Sequence, residues 1–299
     1  DGNPEMGLTN HYHNLFASLE STNLSLIDVC HFDEIFMLNK VHIDDVLEQI
    51  VEKSNPDIIV VSHLGESFMN PTVKSYQKLI DKDRKIVFTW PDTRDWVLKA
   101  IDELNQYATL HVSWGAEEIQ GLSDKHKWMW APQNPNIFFR DTQDIEASFV
   151  GSITGYSHRL SYLQHAIANG CNIAISGGQR ETKLSPENYA ELIRKSKIGI
   201  NFSESAKKGT HQMKGRVIEI LACGSMLLES KNDKTSSRMQ PGKHYVEFTD
   251  ENDMIEKVNF YSKNHDERLK IAQAGYEFYV DNFSPEIYWS TIFENAGLL

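Results

Sequence analysis

Cysteine is scarce in this chain. Three occur in 299 residues, Cys30, Cys171 and Cys223, too few and too scattered for a disulfide framework or a zinc site. They read as small core residues of a protein in a reducing compartment. Basic residues are outnumbered: 30 Lys and Arg against 42 Asp and Glu give a formal net charge of -12. That balance argues against a nucleic-acid partner, because a phosphate backbone needs a basic face. No apolar run approaches the length of a membrane span, and no signal peptide is visible, so a cytoplasmic location is expected. Repeats and low-complexity linkers are missing as well. The chain starts at Asp1 rather than Met, which leaves room for an upstream segment.

What is present is alternation. The 40% hydrophobic content supports real cores, and the length allows two ordinary domains. Helix signals at 9–20, 43–53, 71–81, 93–106 and 116–122 alternate with apolar runs at 24–29, 56–63, 85–90, 109–114 and 127–132. Runs such as "PDIIVVSH" and "KIVFTW" are continuous enough for buried parallel strands. This is the pattern of a doubly wound α/β domain. The segment "APQNPNIFFRDTQD" (131–144) then breaks the periodicity and reads as a linker. Alternation restarts with strands at 147–152, 172–176, 197–202, 225–229 and 244–248. Helices are expected at 158–169, 186–195, 217–222, 250–262, 265–282 and 285–295. Two α/β halves in series follow, 1–138 and 139–284, and a cleft between two such halves is a common ligand site.

One stretch carries more chemistry than its neighbours. "KGRVIEILACGSMLLE" (214–229) places Lys214, Arg216 and Glu219 at the mouth of an apolar helix. Val217, Ile218, Leu221 and Ala222 form its buried stripe, Gly224 stops it, and an apolar strand follows. Charge in a first turn serves a helix end by itself. In loop–helix–strand units of α/β folds, though, ligands bind at the carboxyl ends of strands, near helix N-termini. Arg216 and Glu219 would face that crevice.

The second half also resembles a known family. "FVGSITGYSHRLSYL" (149–163), "SPENYAELIRKSKIGINFS" (185–203), "GRVIEILACGSMLLE" (215–229), "PGKHYVEFTDENDMIEKVNFY" (241–261) and "ERLKIAQAGYEFYVDNFSPEIYW" (267–289) resemble, in order and spacing, the C-terminal domain of GT-B glycosyltransferases of the CgeB-like, group 1 type. The first half matches in architecture and in a few positions only. The resemblance implies a GT-B fold, two Rossmann-like domains facing a cleft, with the C-terminal helix (285–296) returning to the N-terminal domain. It implies a nucleotide-diphospho-sugar donor, a UDP-sugar in preference to a GDP-sugar, bound on the second half with no metal and no other cofactor. The acceptor, whether glycan, lipid-linked or protein, stays open.

What the resemblance implies for single residues fits their chemistry. A diphosphate needs backbone N–H groups and guanidinium forks; Gly151 and Ser152 end a strand at a glycine turn, Arg159 starts the next helix, and Arg216 is a second fork, with Lys214 beside it. Glu219 resembles the second acid of the family's E-x7-E motif, which binds the donor ribose; a carboxylate accepts from two hydroxyls at once. The first acid falls at His211, a departure: His211 takes part of that acid's contact with the sugar, or "ESAKKGTH" (204–211) is a donor-site loop, the reading preferred here. In the first half, Gly7 resembles the first glycine turn of GT-B folds. His63 and Asp92 follow strands and are the candidate acid/base groups; a histidine suits neutral pH without tuning, whereas Asp92 is equally placed to cap the next helix. "DTRD" (92–95) has the wrong spacing for the Asp-x-Asp of metal-dependent GT-A enzymes. A nucleotide-sugar epimerase on the same fold, or a catalytically silent sugar-binding protein, would share the donor residues.

Overall fold

The structure, a computed structural model, describes residues 14–22, 28–63, 65–90, 95–114, 122–153, 156–177, 184–204 and 209–299. In chain order the elements are α1 (Phe16–Glu20), α2 (Phe32–Asn39), α3 (Ile43–Ser54), β1 (Ile58–Ser62), α4 (Val73–Ile80), β2 (Lys85–Trp90), α5 (Asp95–Leu104), β3 (Leu110–Ser113), β4 (His126–Trp128), β5 (Ile145–Val150), α6 (Ser157–Ala168), β6 (Ile173–Ser176), α7 (Pro186–Arg194), β7 (Ser196–Asn201), α8 (Gly215–Ala222), β8 (Met226–Ser230), α9 (Asp233–Ser236), β9 (Val246–Phe248), α10 (Glu251–Lys263), α11 (His265–Phe283) and α12 (Pro285–Asn295).

The chain divides into two compact units. The first takes residues 1–12, 22–131 and 286–299; the second takes 13–21 and 132–285. Each unit is built on a parallel sheet, which requires crossover connections rather than hairpins between its strands. In the first, the strand order is β1-β2-β3-β4. Its core is Tyr76 and Leu79 of α4, Ile86, Phe88 and Trp90 of β2, and Val97 and Ile101 of α5. Leu79 follows Ser75 by four residues and Tyr76 by three, so the three buried side chains share one inward face of α4. Helix α12 belongs to this unit from Glu286 on, carries buried Tyr288, Trp289 and Ile292, and is followed by Gly297, whose carbonyl accepts from Lys85 Nζ at 2.9 Å.

In the second unit the strand order is β6-β5-β7-β8-β9. The chain lays down β5, moves to one side for β6, and then returns to the other side for β7. The β5/β7 junction is therefore the point where the winding reverses, and the carboxyl ends of strands at such a point flank a ligand crevice. Phe149, Ile198, Ile200, Phe202, Met226 and Leu228 form the core around this junction.

The segment 132–144, read above as a linker, packs into the second unit. Ile137 and Phe138 are buried, Arg194 donates to the Ile137 carbonyl at 3.2 Å, and Asp141 sits between Arg194 and Lys195. A proline- and amide-rich sequence signals irregular backbone, not absence of packing. Helices α2 and α9 have no counterpart among the expected elements; α2 carries Phe32, Ile35 and Phe36 at helical spacing but buries none of its residues. The expectations that reach into 1–13, 24–27 and 116–121 lie outside the described residues. Among the described residues no helix is long and apolar enough to cross a membrane, and all three cysteines are free.

Candidate functional site

The residues singled out in the second half converge at the β5/β7 junction. Helix α8 begins at Gly215 with Lys214 at its N-cap; no side chain caps this end, and the Val217 amide donates to the Lys214 carbonyl at 3.0 Å. It ends at Gly224 (φ 66°), where Gly224 N donates to Leu221 O and Ser225 N to Ile220 O, a Schellman stop that only glycine makes without strain. Val217 to Ala222 are buried, which anchors the helix and fixes the direction of Arg216 and Glu219.

Arg216 reaches from α8 across to both strands of the junction. Its Nη1 donates to Asn201 Oδ1 at the end of β7, at 2.7 Å. Its Cζ lies 4.9 Å from the centroid of the Phe149 ring of β5. A Cβ at Gly151 would fall 1.9 Å from Arg216 Nη2, so any other residue there would push the guanidinium away. The Gly151 amide is committed to Ser176 O at 2.9 Å; what Gly151 supplies to the site is room, where an amide contact was expected. Arg216 Nε is buried without a partner, and among the described residues no carboxylate is within ion-pair distance of this guanidinium. A cation held in place with no direct salt bridge, its charge only partly offset by Glu219 and Glu229 nearby, can take an anion.

Arg159 stands close enough for the two cations to repel. Burial first, and then Arg216, pull its guanidinium down to about 10. It donates to Ser152 O at 3.0 Å and to Glu204 O at 2.8 Å and stacks on Tyr156, 3.6 Å from the ring centroid. Arg159 thus braces the loop after β5 against the loop after β7, and Ser152 contributes its carbonyl to that brace. His211 accepts or donates at 2.9 Å to Ser203 Oγ and pairs as an isolated bridge with Glu204, which places it in the loop after β7. Lys214 Nζ donates to Gln212 at 2.5 Å.

Glu219 is buried, and sequence reasoning missed its two partners. Tyr189 of α7 donates to Glu219 Oε2, and Asn14, at the start of the chain's first helical stretch, bonds to the same carboxyl. Burial pushes the Glu219 carboxyl up against the pull of Tyr189, Arg216 and Asn14. Its other oxygen looks towards Gly215, about 4.0 Å from where a Cβ would be.

Two more polar residues at the junction were also missed. Asn201 ends β7 and Glu229 is the last but one residue of β8, and the strand register sets them side by side. Asn201 Nδ2 donates to Glu229 Oε2 at 2.7 Å, and Asn232 Nδ2 to Glu229 Oε1 at 3.2 Å. Asn201 and Glu229 are both fully buried. Burial pushes the Glu229 carboxyl up to about 8, with Asn201, Arg216 and Lys214 pulling it down and Glu247 pushing it up. The signal was available: a polar residue ending an otherwise apolar parallel strand needs a reason to be there.

In the first unit, His63 follows β1. Its Nε2 is 2.6 Å from Tyr76 Oη, and the rings of Tyr76, Phe88 and Trp90 surround it at 5.3 to 6.0 Å. Burial pulls His63 down to about 4, which keeps the imidazole neutral at pH 7 and makes it a weak base. Asp92 and Gly7 lie outside the described residues. Among the described residues no group of three or more His, Cys, Asp or Glu is placed to hold a metal ion.

Comparison with solved structures finds the same fold. An alpha-glucosyltransferase in complex with UDP and a 13-mer DNA containing a HMU base aligns with a TM-score of 0.59 at 13% identity, over 86% of this chain and 84% of that one. HepE of Anabaena, in complex with UDP and glucose, gives 0.54 at 12% identity over 85% and 82%. A Listeria monocytogenes protein assigned as a UDP-N-acetylglucosamine 2-epimerase gives 0.52 at 10% over 90% and 80%. At these identities the likeness is one of fold, and the fold is GT-B: α/β with parallel sheets, shared by glycosyltransferases and epimerases. Comparison with curated proteins finds no match. Residues 138–293, just over half of the chain, match the glycosyl transferase-like family, and the chain belongs to that family.

Proposed function

We propose that the protein transfers a sugar from a nucleotide-diphospho-sugar, a UDP-sugar in preference to a GDP-sugar, to a hydroxyl of a glycan, lipid-linked or protein acceptor in the cytoplasm. The observation that carries this reading is the Arg216 guanidinium, held by Asn201 against Gly151 at the point of reversal, with no acid in ion-pair range among the described residues. Arg216 binds the diphosphate, assisted by Lys214 and the N-terminal end of α8. Glu219 accepts from the ribose hydroxyls through the oxygen that Tyr189 leaves unused. Arg159, Ser152 and His211 shape the two loops that border the donor. The diphosphate leaves with its charge already met by fixed cations, so no metal is required. UDP in the solved relatives, HepE and the alpha-glucosyltransferase, supports uracil as the base.

Calorimetric titration with UDP and with uridine tests the reading. Arg216→Ala is expected to weaken UDP about ten- to a hundred-fold, the worth of one charge-assisted hydrogen bond, while sparing uridine. Glu219→Ala is expected to weaken both. Unchanged affinities in both variants, with only a lower melting temperature, would leave this helix end a structural feature and remove the donor site.

The likeness to the Listeria protein favours one second reading, an epimerase using the same donor residues. The two separate cleanly. An epimerase converts a UDP-sugar with no acceptor present, whereas a transferase releases UDP only when an acceptor hydroxyl or water takes the sugar.

A further inference from the structure

Arg216 is aimed by something, and the acceptor that holds its Nη1 is an amide: Asn201 Oδ1, at 2.7 Å. An amide can turn over, exchanging its oxygen for its NH2 at almost no steric cost. Turned over, Asn201 would present N–H donors to a guanidinium that is itself donor-only, and the contact would become repulsive. Tyr189 and the Phe149 ring also touch this guanidinium, but neither sets the polarity of the Nη1 contact, so whatever fixes the Asn201 amide fixes that side of Arg216.

That residue is Glu229. Parallel register puts it beside Asn201, and its Oε2 accepts from Asn201 Nδ2 at 2.7 Å. Its other oxygen accepts from Asn232 Nδ2 at 3.2 Å. Asn232 is itself locked, because its Oδ1 accepts from Thr235 N at 2.7 Å as the cap of α9. With amide donors facing both oxygens, the carboxylate is an acceptor at each end. It thus sets the polarity of the chain Asn232–Glu229–Asn201–Arg216. Glu229 is fully buried.

We propose that Glu229 is a positioning residue of the donor site, which holds the Arg216 guanidinium in place for the diphosphate by orienting Asn201. This rests on the donor-site reading of Arg216 given above. The groups that face Glu229 are Asn201 of β7, Asn232 before α9, Glu247 of β9, and Arg216 and Lys214 of α8. A glutamine at 229 matches the glutamate in shape but must turn an NH2 towards one of its two amide donors.

The test uses the whole chain at pH 9, above the value of about 8 to which burial pushes this carboxyl. Two quantities are read: UDP and uridine affinity by calorimetry, and the nitrogen-15 spectrum of the arginine side chains, with Arg216 assigned through Arg216→Lys. In the wild type the Arg216 Nη protons are expected to be separately resolved, as for a guanidinium held on one side. Glu229→Gln is expected to merge them and to weaken UDP about tenfold or more, with uridine unchanged. Adding Asn201→Asp to that variant supplies a carboxylate at 201, which accepts both from the new amide at 229 and from Arg216, and the resolved signal should return. If Glu229→Gln does not fold, Asn201→Ser, which leaves the carboxylate but cuts the link, should show the same two losses. An unchanged Arg216 signal and an unchanged UDP-to-uridine ratio, whatever happens to the melting temperature, would overturn the proposal. If wild-type UDP binding is absent, or indifferent to Arg216→Ala, the donor reading fails instead, and the guanidinium spectrum still decides whether Glu229 holds Arg216.

Discussion

His63 and His111 sit in the aromatic interior of the first unit, and each is pulled down to about 4 by burial. His111 is fully buried; its Nδ1 accepts from Trp90 Nε1 at 3.2 Å, and its Nε2 has no partner. An unfolded histidine takes up a proton near pH 6.5; these two resist until about 4. The unfolded state then binds more protons over that interval, so their contribution is complete above pH 6.5 and is lost as pH falls towards 4. Each is worth about 3 kcal/mol at the lower limit. Urea midpoints measured from pH 7 to 4 should fall, and His63→Phe should fall less steeply than wild type; parallel curves would contradict the burial of this imidazole. The same depression makes His63 a poor general base, and Asp92, which lies outside the described residues, is the other candidate. Asp92→Asn is expected to abolish turnover while UDP affinity is retained, and full turnover in that variant would return the role to His63 or to neither.

Helices α8 and α11 show how one element is seated by another. Helix α11 covers α8, and Gly275 is where they meet: a Cβ there would lie 2.5 Å from the His244 carbonyl oxygen and 2.8 Å from Leu221 Cδ2. Glycine in a helix interior is normally a weakness that alanine would repair by about 1 kcal/mol. Here the obstacle is backbone, which cannot swing aside, and overpacking costs about 1–3 kcal/mol. Gly275→Ala is therefore expected to lower stability rather than raise it, by a net of about 1 kcal/mol or more in denaturant unfolding. A stabilised variant would show that α11 can slide off α8. The positions of most elements are legible from apolar runs and glycine stops: helix 285–295 and the helix and strand on either side of Gly224 fall within a residue or so of where the pattern puts them. Helix α2 goes unread although Phe32, Ile35 and Phe36 stand at helical spacing; it is eight residues long, buries none of them, and ends at Lys40 rather than at a glycine.

At the scale of the whole molecule, the net charge of -12 contrasts with the neighbouring guanidiniums Arg159 and Arg216 in the second unit. A local cationic site in an acidic protein does not raise affinity for anions in general; on the proposed donor reading it provides the charge that a leaving diphosphate needs. Turnover, once a donor and acceptor are paired, is expected to survive EDTA. Complete loss on chelation, restored by Mn²⁺, would sink the account in which fixed cations alone stabilise the leaving group.

Local chemistry determined a good part of this. Period and punctuation are properties of neighbouring residues, so the alternating α/β elements, the Gly224 stop and the charged mouth of α8 stand in the sequence itself. The ordered motifs of 149–289 carry the family. Only the tertiary structure decided which strands became neighbours, and with them which side chains meet. The order β6-β5-β7-β8-β9 placed the reversal beside Gly151 and Asn201, and the β7/β8 register set Asn201 against Glu229. Asn14 and Tyr189 reach Glu219 from positions 205 and 30 residues away in the chain. No periodicity encodes such pairings, because they arise from burial: a polar group enclosed without water must find a partner wherever the fold brings one.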